Sequence, residues 1–351
     1  MKILFLTSGV RMPTTRFRVL PYVPLLRAAG HSCTVAHSIP DKYGHYRVLG
    51  WRLSQQLKHV TRYWHLFRAC VARYDVVWIE REIFNNPSAA FEERFRRVAP
   101  LCVLDVDDGV FLRFPEKFHH ICRLSDLVFA GNPYLKEYIE PHNANTVVVP
   151  TCIDAEAYRS RPTTEENARP VIGWIGTTGN LQYLAVAATA ISRLASELDF
   201  ELRLIAPEDD PIAELPLDGV DVRYIRWNPR TEIDEIRRFD IGIMPLRMDH
   251  EWDKYKCGLK LLQYMGVGLP AVASPVGVNA EIVSHGENGY LAEDSDQWYA
   301  ALRPLLEDAA LRQQVGAAAR LRAEKDYSIQ VWAPRIVDYL QTNLDRKRSG
   351  G

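Results

Sequence analysis

The sequence predicts an α/β protein built from two doubly wound, Rossmann-like domains. Three observations carry that expectation. The chain has 351 residues, and at roughly 100–200 residues per domain this length suits two. Short apolar runs alternate with stretches of helical spacing, the pattern of parallel sheets covered by helices on both faces. A polar stretch, residues 154–170, interrupts the alternation, which then restarts.

In chain order, Lys2–Thr7 reads as a buried strand broken at Ser8 and Gly9. Val19–Ala29 carries helical spacing and Ser32–Ala36 is a second strand. Asp75–Ile79, Leu101–Asp105, Leu127–Ala130 and Thr146–Val149 are further strands, with helices at Ala89–Val98 and Tyr134–Ile139 between some of them. The polar stretch, with Pro162, Thr163, Thr164, Glu165 and Glu166, reads as a linker between domains. Strands then follow at Val171–Ile175, Glu201–Ile205, Val220–Tyr224, Ile241–Met244, Ala271–Ala273 and Tyr290–Leu291, with a helix at Leu181–Leu198. Gln297–Glu307, Ala309–Lys325 and Ile329–Leu344 close the chain as helices. The expected domains are 1–155 and 168–326.

Composition narrows the function classes. The six cysteines are scattered without a C-x-x-C pair, which suits reduced thiols better than a disulfide framework or a zinc site. No apolar run approaches the ~18 residues of a membrane span. MKILFLTSGV is too short for a signal peptide, so a cytoplasmic location is expected. Residues 1–150 hold 20 Lys+Arg against 13 Asp+Glu, a formal +7, and the rest of the chain carries −8. The two halves are therefore expected to meet different partners, or one half an anionic surface.

The loops after strands are where such sheets take ligands. VIGWIGTTGN, Val171–Asn180, runs from strand to glycine-rich turn to helix. Gly176 allows close approach of a phosphate, and Thr177 and Thr178 add hydroxyl donors. A tight turn with Thr or Asn as helix cap is the alternative. The glycines are not spaced G-x-G-x-x-G and no acidic residue follows about 20 positions on, which counts against a nicotinamide-dependent dehydrogenase.

YKCGLKLLQYMGVGLP, Tyr255–Pro270, places Gly258 before an apolar helix, Leu259–Met265. Lys256 and Lys260 flank the helix start, a suitable diphosphate site. Gln263, three residues beyond Lys260, is expected on the same surface. The alternative is a basic helix start beside an ordinary turn.

This segment resembles the donor-site signature of family-4 glycosyltransferases, retaining enzymes of the GT-B fold. Their pattern is Glu-x-Phe-Gly-x-x-x-x-Glu, then Ala-Met-x-x-Gly-x-Pro-Val-Val-Ala-Ser. Gly258 matches its glycine and GLPAVASPVG, Gly268–Gly277, matches its second half. VVPTCID at Val148–Asp154, AGNPYL at Ala130–Leu135 and HGENGYLAED at His285–Asp294 extend the similarity over most of the chain. The resemblance implies a GT-B fold of two Rossmann-like domains facing a cleft, with the acceptor in the first and the donor in the second. It implies transfer from a nucleotide-diphosphate sugar with retention of configuration, without metal or other cofactor. It implies that a closing helix, 327–345, returns to the first domain. Gly176, Thr177, Thr178, Lys256, Gly258, Leu259 and Lys260 would hold the donor, with Gln263 near the ribose.

This chain departs from the pattern where the two family glutamates fall on Tyr255 and Gln263. A variant subgroup is expected, in which Lys260 stabilises the departing diphosphate and Asp253 or Glu251 supplies a carboxylate. The same departure motivates a second reading: a non-catalytic GT-B-like scaffold that binds nucleotide or sugar.

Three first-half features complete the expectations. Asp107 and Asp108 end a strand, and Asp107 aligns where many family members carry a His facing the reacting sugar; either orients the acceptor hydroxyl or forms a solvated acidic turn. Gly9, Arg16 and Arg18 follow the first strand and suit an anionic acceptor, or else pair with Glu80 or Glu82. Residues 42–74 carry Lys42, Arg47, Arg52, Lys58, Arg62, Arg68 and Arg73 with no Asp or Glu. Aromatic and aliphatic residues are interleaved, so a helix docked on an anionic membrane surface is expected, with a solvated basic face as the alternative. No nucleic-acid motif accompanies the charge. A glycan or lipid-linked acceptor, met at the inner membrane face, fits both the patch and the first-half charge.

Overall fold

Runs of β-branched and aromatic residues buried on both faces build each sheet of the computed structural model, which describes residues 1–160 and 167–349. Thr163, Thr164 and the neighbouring linker positions Pro162, Glu165 and Glu166 lie outside the described residues. The chain divides into Met1–Cys152 with Ile329–Gly351, and Ile153–Ser328.

The strands of the first unit are β1 (Lys2–Thr7), β2 (Ser32–His37), β3 (Val76–Glu80), β4 (Leu101–Val106), β5 (Leu127–Ala130) and β6 (Thr146–Val148). They form one parallel sheet in the order β2-β1-β3-β4-β5-β6. Its helices are α1 (Tyr22–Ala28), α2 (Gly50–Ala72), α3 (Ala90–Arg96), α4 (Pro115–Leu124) and α5 (Pro133–Ile139). Alternate residues of β1 serve opposite faces. Ile3 and Phe5 pack with Tyr22, Val23 and Leu26 of α1. Leu4 and Leu6 pack with Phe91 and Phe95 of α3 and Ala69 of α2.

The second unit holds β7 (Val171–Ile175), β8 (Glu201–Ala206), β9 (Val222–Arg226), β10 (Ile241–Met244), β11 (Ala271–Ala273) and β12 (Tyr290–Leu291). Their parallel order is β12-β11-β10-β7-β8-β9. Its helices are α6 (Ala185–Ala195), α7 (Glu232–Arg237), α8 (Glu251–Lys254), α9 (Leu259–Gly266), α10 (Asn279–Ile282), α11 (Ser295–Glu307) and α12 (Ala309–Asp326). The last helix, α13 (Ile329–Ser349), belongs to the first unit. There Ile336, Leu340 and Leu344 cover the same face of the sheet as α1.

Several elements differ from expectation. The helix expected over Val19–Ala29 begins only at Tyr22, as α1, and a π-helical turn, Thr15–Val19, precedes it. Pro24 fits α1 because it stands in the first turn, whose N–H groups have no partner within the helix. The helix expected from Leu181 starts as a 3-10 segment, Thr178–Leu184, before α6. Residues 154–160 are not a bare tether. Ile153 bridges to Ser328, and the Arg320 guanidinium bonds the carbonyls of Ala155 and Tyr158.

The largest difference concerns α2. Its basic stripe was expected to face outward, yet Lys58 and Arg62 are buried. Lys58 Nζ donates to the carbonyls of Lys42 and Gly44 at 2.7 and 2.8 Å. Arg62 donates to those of Ala36 and Thr7 at 2.8 and 2.6 Å. Lys42 is buried too, 2.8 Å from Glu82. Carbonyl oxygens at the ends of β1 and β2 draw Arg62 inward and those of the loop after β2 draw Lys58, because a buried acceptor left unpaired is costly.

Candidate active site

The second sheet reverses its strand order between β7 and β10, and the loops leaving such strands are where doubly wound sheets take ligands. Gly176 follows β7, its N–H bonded to the Ile205 carbonyl at 3.0 Å. A Cβ at this position would stand 2.5 Å from the Trp174 ring and 3.0 Å from Lys260 Cε. Glycine therefore lets the turn lie directly against the lysine. Thr177 is exposed, and its side chain makes no capping hydrogen bond, so the helix-cap alternative is not realised. Thr178 opens the 3-10 segment. Of the other two glycines, Gly173 sits mid-strand against Phe239, and Gly179 has open space around it.

The loop after β10 leads through α8 to Gly258, whose φ of 66° is left-handed. A Cβ there would also lie 2.4 Å from Ile282 Cδ1 of α10. Leu259 begins α9, which puts Lys260 on its first turn. The Lys260 ammonium lies 5.3 Å from the Trp174 ring centroid. Among the described residues no carboxylate lies within 4.0 Å of it. Burial, and then the neighbouring Lys256, push its pKa down to about 7 against the pull of Asp253.

Lys256 is held differently. Its Nζ is 3.0 Å from Asp253 and 4.7 Å from the Tyr183 ring centroid. Asp253 is fully buried and accepts from the Tyr183 hydroxyl at 2.7 Å and the Arg247 N–H at 3.2 Å. The carboxylate expected to replace a family glutamate is thus fixed inside α8, while Glu251 is exposed and Tyr255 is buried. Gln263 departs from its expected place beside Lys260 on the surface. It is buried, and its amide donates to the Tyr158 hydroxyl at 3.0 Å and to Glu232 at 3.1 Å. The inward side of α9 packs on the sheet, and a residue three positions after a half-exposed one has turned into it.

The first sheet reverses between β1 and β3. Glu80, buried at the end of β3, accepts from Ser8 N–H at 3.2 Å and Thr15 Oγ1 at 2.7 Å. Burial raises its pKa to about 7, against those two donors. Gly9 is buried with φ 137°, and a Cβ on it would collide with the Asp41 carboxylate. The close neighbour that demands glycine there is a protein group.

Arg18 does not reach a surface: it is buried, paired with Asp105, and donates to the Val149 carbonyl at 2.6 Å. Arg16 is half-buried, its guanidinium 5.3 Å from the Phe17 ring centroid.

Asp107 and Asp108 share one cation that the sequence did not single out. Arg81 bonds Asp107 through Nε, and its Nη2 is 3.5 Å from Asp108. Burial opposes ionisation of Asp107, but Arg81 outweighs it and holds the carboxyl below its ordinary range. Asp108 also accepts from the Gly109 N–H at 3.0 Å. Arg81 itself is left-handed, with φ 56°, a strained backbone of the kind found where structure overdetermines a site. The one signal in the sequence was its position, immediately after a strand.

Residues 169–308 match the model of the family described as Glycosyl transferases group 1. Across 196 residues the chain is 24% identical to N-acetyl-alpha-D-glucosaminyl L-malate synthase of Bacillus anthracis, covering 52% of this chain and 50% of that protein. The match thus spans about half of that relative. Anabaena Alr3699/HepE, solved in complex with UDP and glucose, superposes with a TM-score of 0.66 at 19% identity, over 97% of this chain and 100% of that one. Sucrose-phosphate synthase from Thermosynechococcus elongatus does so with a TM-score of 0.71 at 14% identity, over 97% and 98% of the two chains. At these identities the likeness is one of fold, and the fold is GT-B.

Proposed function

From the premise that residues 169–308 form a Glycosyl transferases group 1 domain, we propose that the chain transfers a sugar from a nucleotide-diphosphate sugar to an acceptor, with retention of configuration. One observation carries the reading: Lys260, half-buried, with no carboxylate within 4.0 Å among the described residues and lying against Gly176 at the strand-order reversal of the second sheet. An anion seated there gains a charge-assisted contact that no protein group supplies. The donor diphosphate lies against Gly176, Thr177 and Thr178 on one side. Gly258, Leu259 and Lys260 hold it on the other, with Lys256 behind.

In the reaction the bond from the anomeric carbon to the phosphate oxygen breaks and its electron pair leaves with the diphosphate. Protonated Lys260 stabilises that charge as it develops. The acceptor hydroxyl forms the new bond on the same face and passes its proton to the departing phosphate oxygen. The first unit takes the acceptor near Arg16 and the Arg81–Asp107–Asp108 cluster. Asp107, kept ionised, serves by fixing Arg81 rather than as an acid. A lipid-linked or glycan acceptor suits the positive charge of this half, and the protein then works at the inner face of the membrane without metal.

The buried Tyr255 and Gln263, standing where the family has glutamates, favour a second reading, a nucleotide- or sugar-binding scaffold without turnover. A panel of UDP-, GDP- and ADP-sugars with lipid extract separates the two. Acceptor-dependent release of nucleoside diphosphate is expected. Saturable binding without release selects the scaffold, and no binding of any nucleotide overturns both.

A further inference from the structure

With its lysine and arginine turned inward, α2 presents an apolar face to solvent. Leu53, Val60, Trp64, Phe67 and Val71 recur at helical spacing along its outer side. Trp64 is 56%, Phe67 61% and Val71 70% exposed, and the Trp64 and Phe67 rings stack at 5.8 Å. Trp51 and the loop before the helix extend the strip, with Val48 almost fully exposed. Single exposed apolar side chains are ordinary; a continuous row of them along a helix marks an interaction surface.

We propose that this face docks on an anionic lipid bilayer, its aromatic and aliphatic side chains entering the interface. The charge around it selects the occupant. Arg47, Arg52, Arg68 and Arg73 are exposed, and residues 42–74 contain no Asp or Glu. A symmetric pairing of two copies through this helix would bring like charges together. Negative headgroups meet those arginines while the acyl boundary takes Trp and Phe. Helices that lie on membranes usually have a cationic face opposite the apolar one. Here Lys58 and Arg62 on that opposite face are spent inside the protein, so attraction falls to the arginines at the flanks and ends. The inference gives the lipid-linked acceptor reading its surface, but it concerns binding and stands apart from turnover.

The test is co-sedimentation of the full chain with vesicles of phosphatidylcholine alone, or mixed with phosphatidylglycerol. Binding to the mixed vesicles is expected, with quenching of tryptophan fluorescence by bromine-labelled lipid. The triple substitution Trp51→Ser, Trp64→Ser, Phe67→Ser removes exposed side chains, so an unchanged melting curve checks its folding. It is expected to weaken partitioning at least about tenfold and to abolish the quenching. Arg52→Gln with Arg68→Gln is expected to weaken binding to mixed vesicles by a similar factor of about ten or more. Absence of binding to mixed vesicles, or binding that survives the triple substitution, overturns the proposal. So does a concentration-dependent dimer that the same substitution abolishes in place of vesicle binding, because the occupant is then a second copy.

Discussion

Lys260 differs from its neighbour Lys256 in what surrounds its charge. Lys256 has Asp253 and the Tyr183 ring, whereas Lys260 has an indole and a glycine backbone. A lysine with a lowered pKa is mostly neutral above about 7 in the free protein. An incoming diphosphate restores the proton, so binding draws protons from buffer. Donor affinity is expected to fall as pH rises from about 7, the lysine's value in the ligand-free state. Titration calorimetry in buffers of different ionisation enthalpy measures the proton uptake directly. Lys260→Met is expected to cost about 1.5–3 kcal/mol of nucleotide affinity and to flatten the pH dependence.

The same group acts on folding with a defined sign. The unfolded chain holds the proton up to the ordinary lysine pKa and the folded chain releases it near 7, so ligand-free stability rises with pH between those values. Lys260 and Gly176 were legible in the sequence because both lie at strand or helix ends with distinctive residue types. Arg81 was not, since its partners Asp107 and Asp108 come from the loop after another strand, and Asp253 was legible only as a spare carboxylate, not as the buried partner of Tyr183 and Lys256. Sequence spacing does not report which loops meet.

Helix α2 shows the limit of pattern at the scale of an element. Its charges and aromatics were visible, and so was its helical period. The side on which the core lay was not, because both stripes of an amphipathic helix have the same period. Two stripes were available, and carbonyls at the ends of β1 and β2 and in the loop after β2 chose the cationic one. Arg62→Met is therefore expected to destabilise the fold by about 2–3 kcal/mol, leaving buried carbonyls without their charged donor. Arg68→Gln, on the exposed side, is expected to stay within about 0.5 kcal/mol. Urea denaturation of the two variants distinguishes them. The strands were easier to read, since parallel strands covered on both faces appear as uninterrupted apolar runs. The short helices α7, α8 and α10 were missed: one or two turns offer too few positions for a period to show.

For the whole molecule, the returning helix has the largest effect. α13 supplies Ile329, Ala333, Ile336, Leu340 and Leu344 to the core of the first unit, although the entire second unit separates it from the rest of that core. A chain stopped after Ser328 keeps both sheets but uncovers one face of the first. It is expected to bind the dye ANS and to aggregate while the full chain does neither, as fluorescence and light scattering would show. The resemblance implied the return of this helix. Its periodicity alone identified a helix and said nothing of which sheet it covers.

That arrangement also sets a timetable on the ribosome. The six strands of the first unit emerge early, but the helix that seals them is made only after the second unit. At about 5–20 residues per second, the intervening segment takes roughly 10–35 s to synthesise. During that interval the second unit, an uninterrupted span of sequence, can finish folding while the first waits with an open apolar face. The nascent chain therefore has a window in which a chaperone has something to hold, and codon speed upstream of Ile329 sets how long that window lasts.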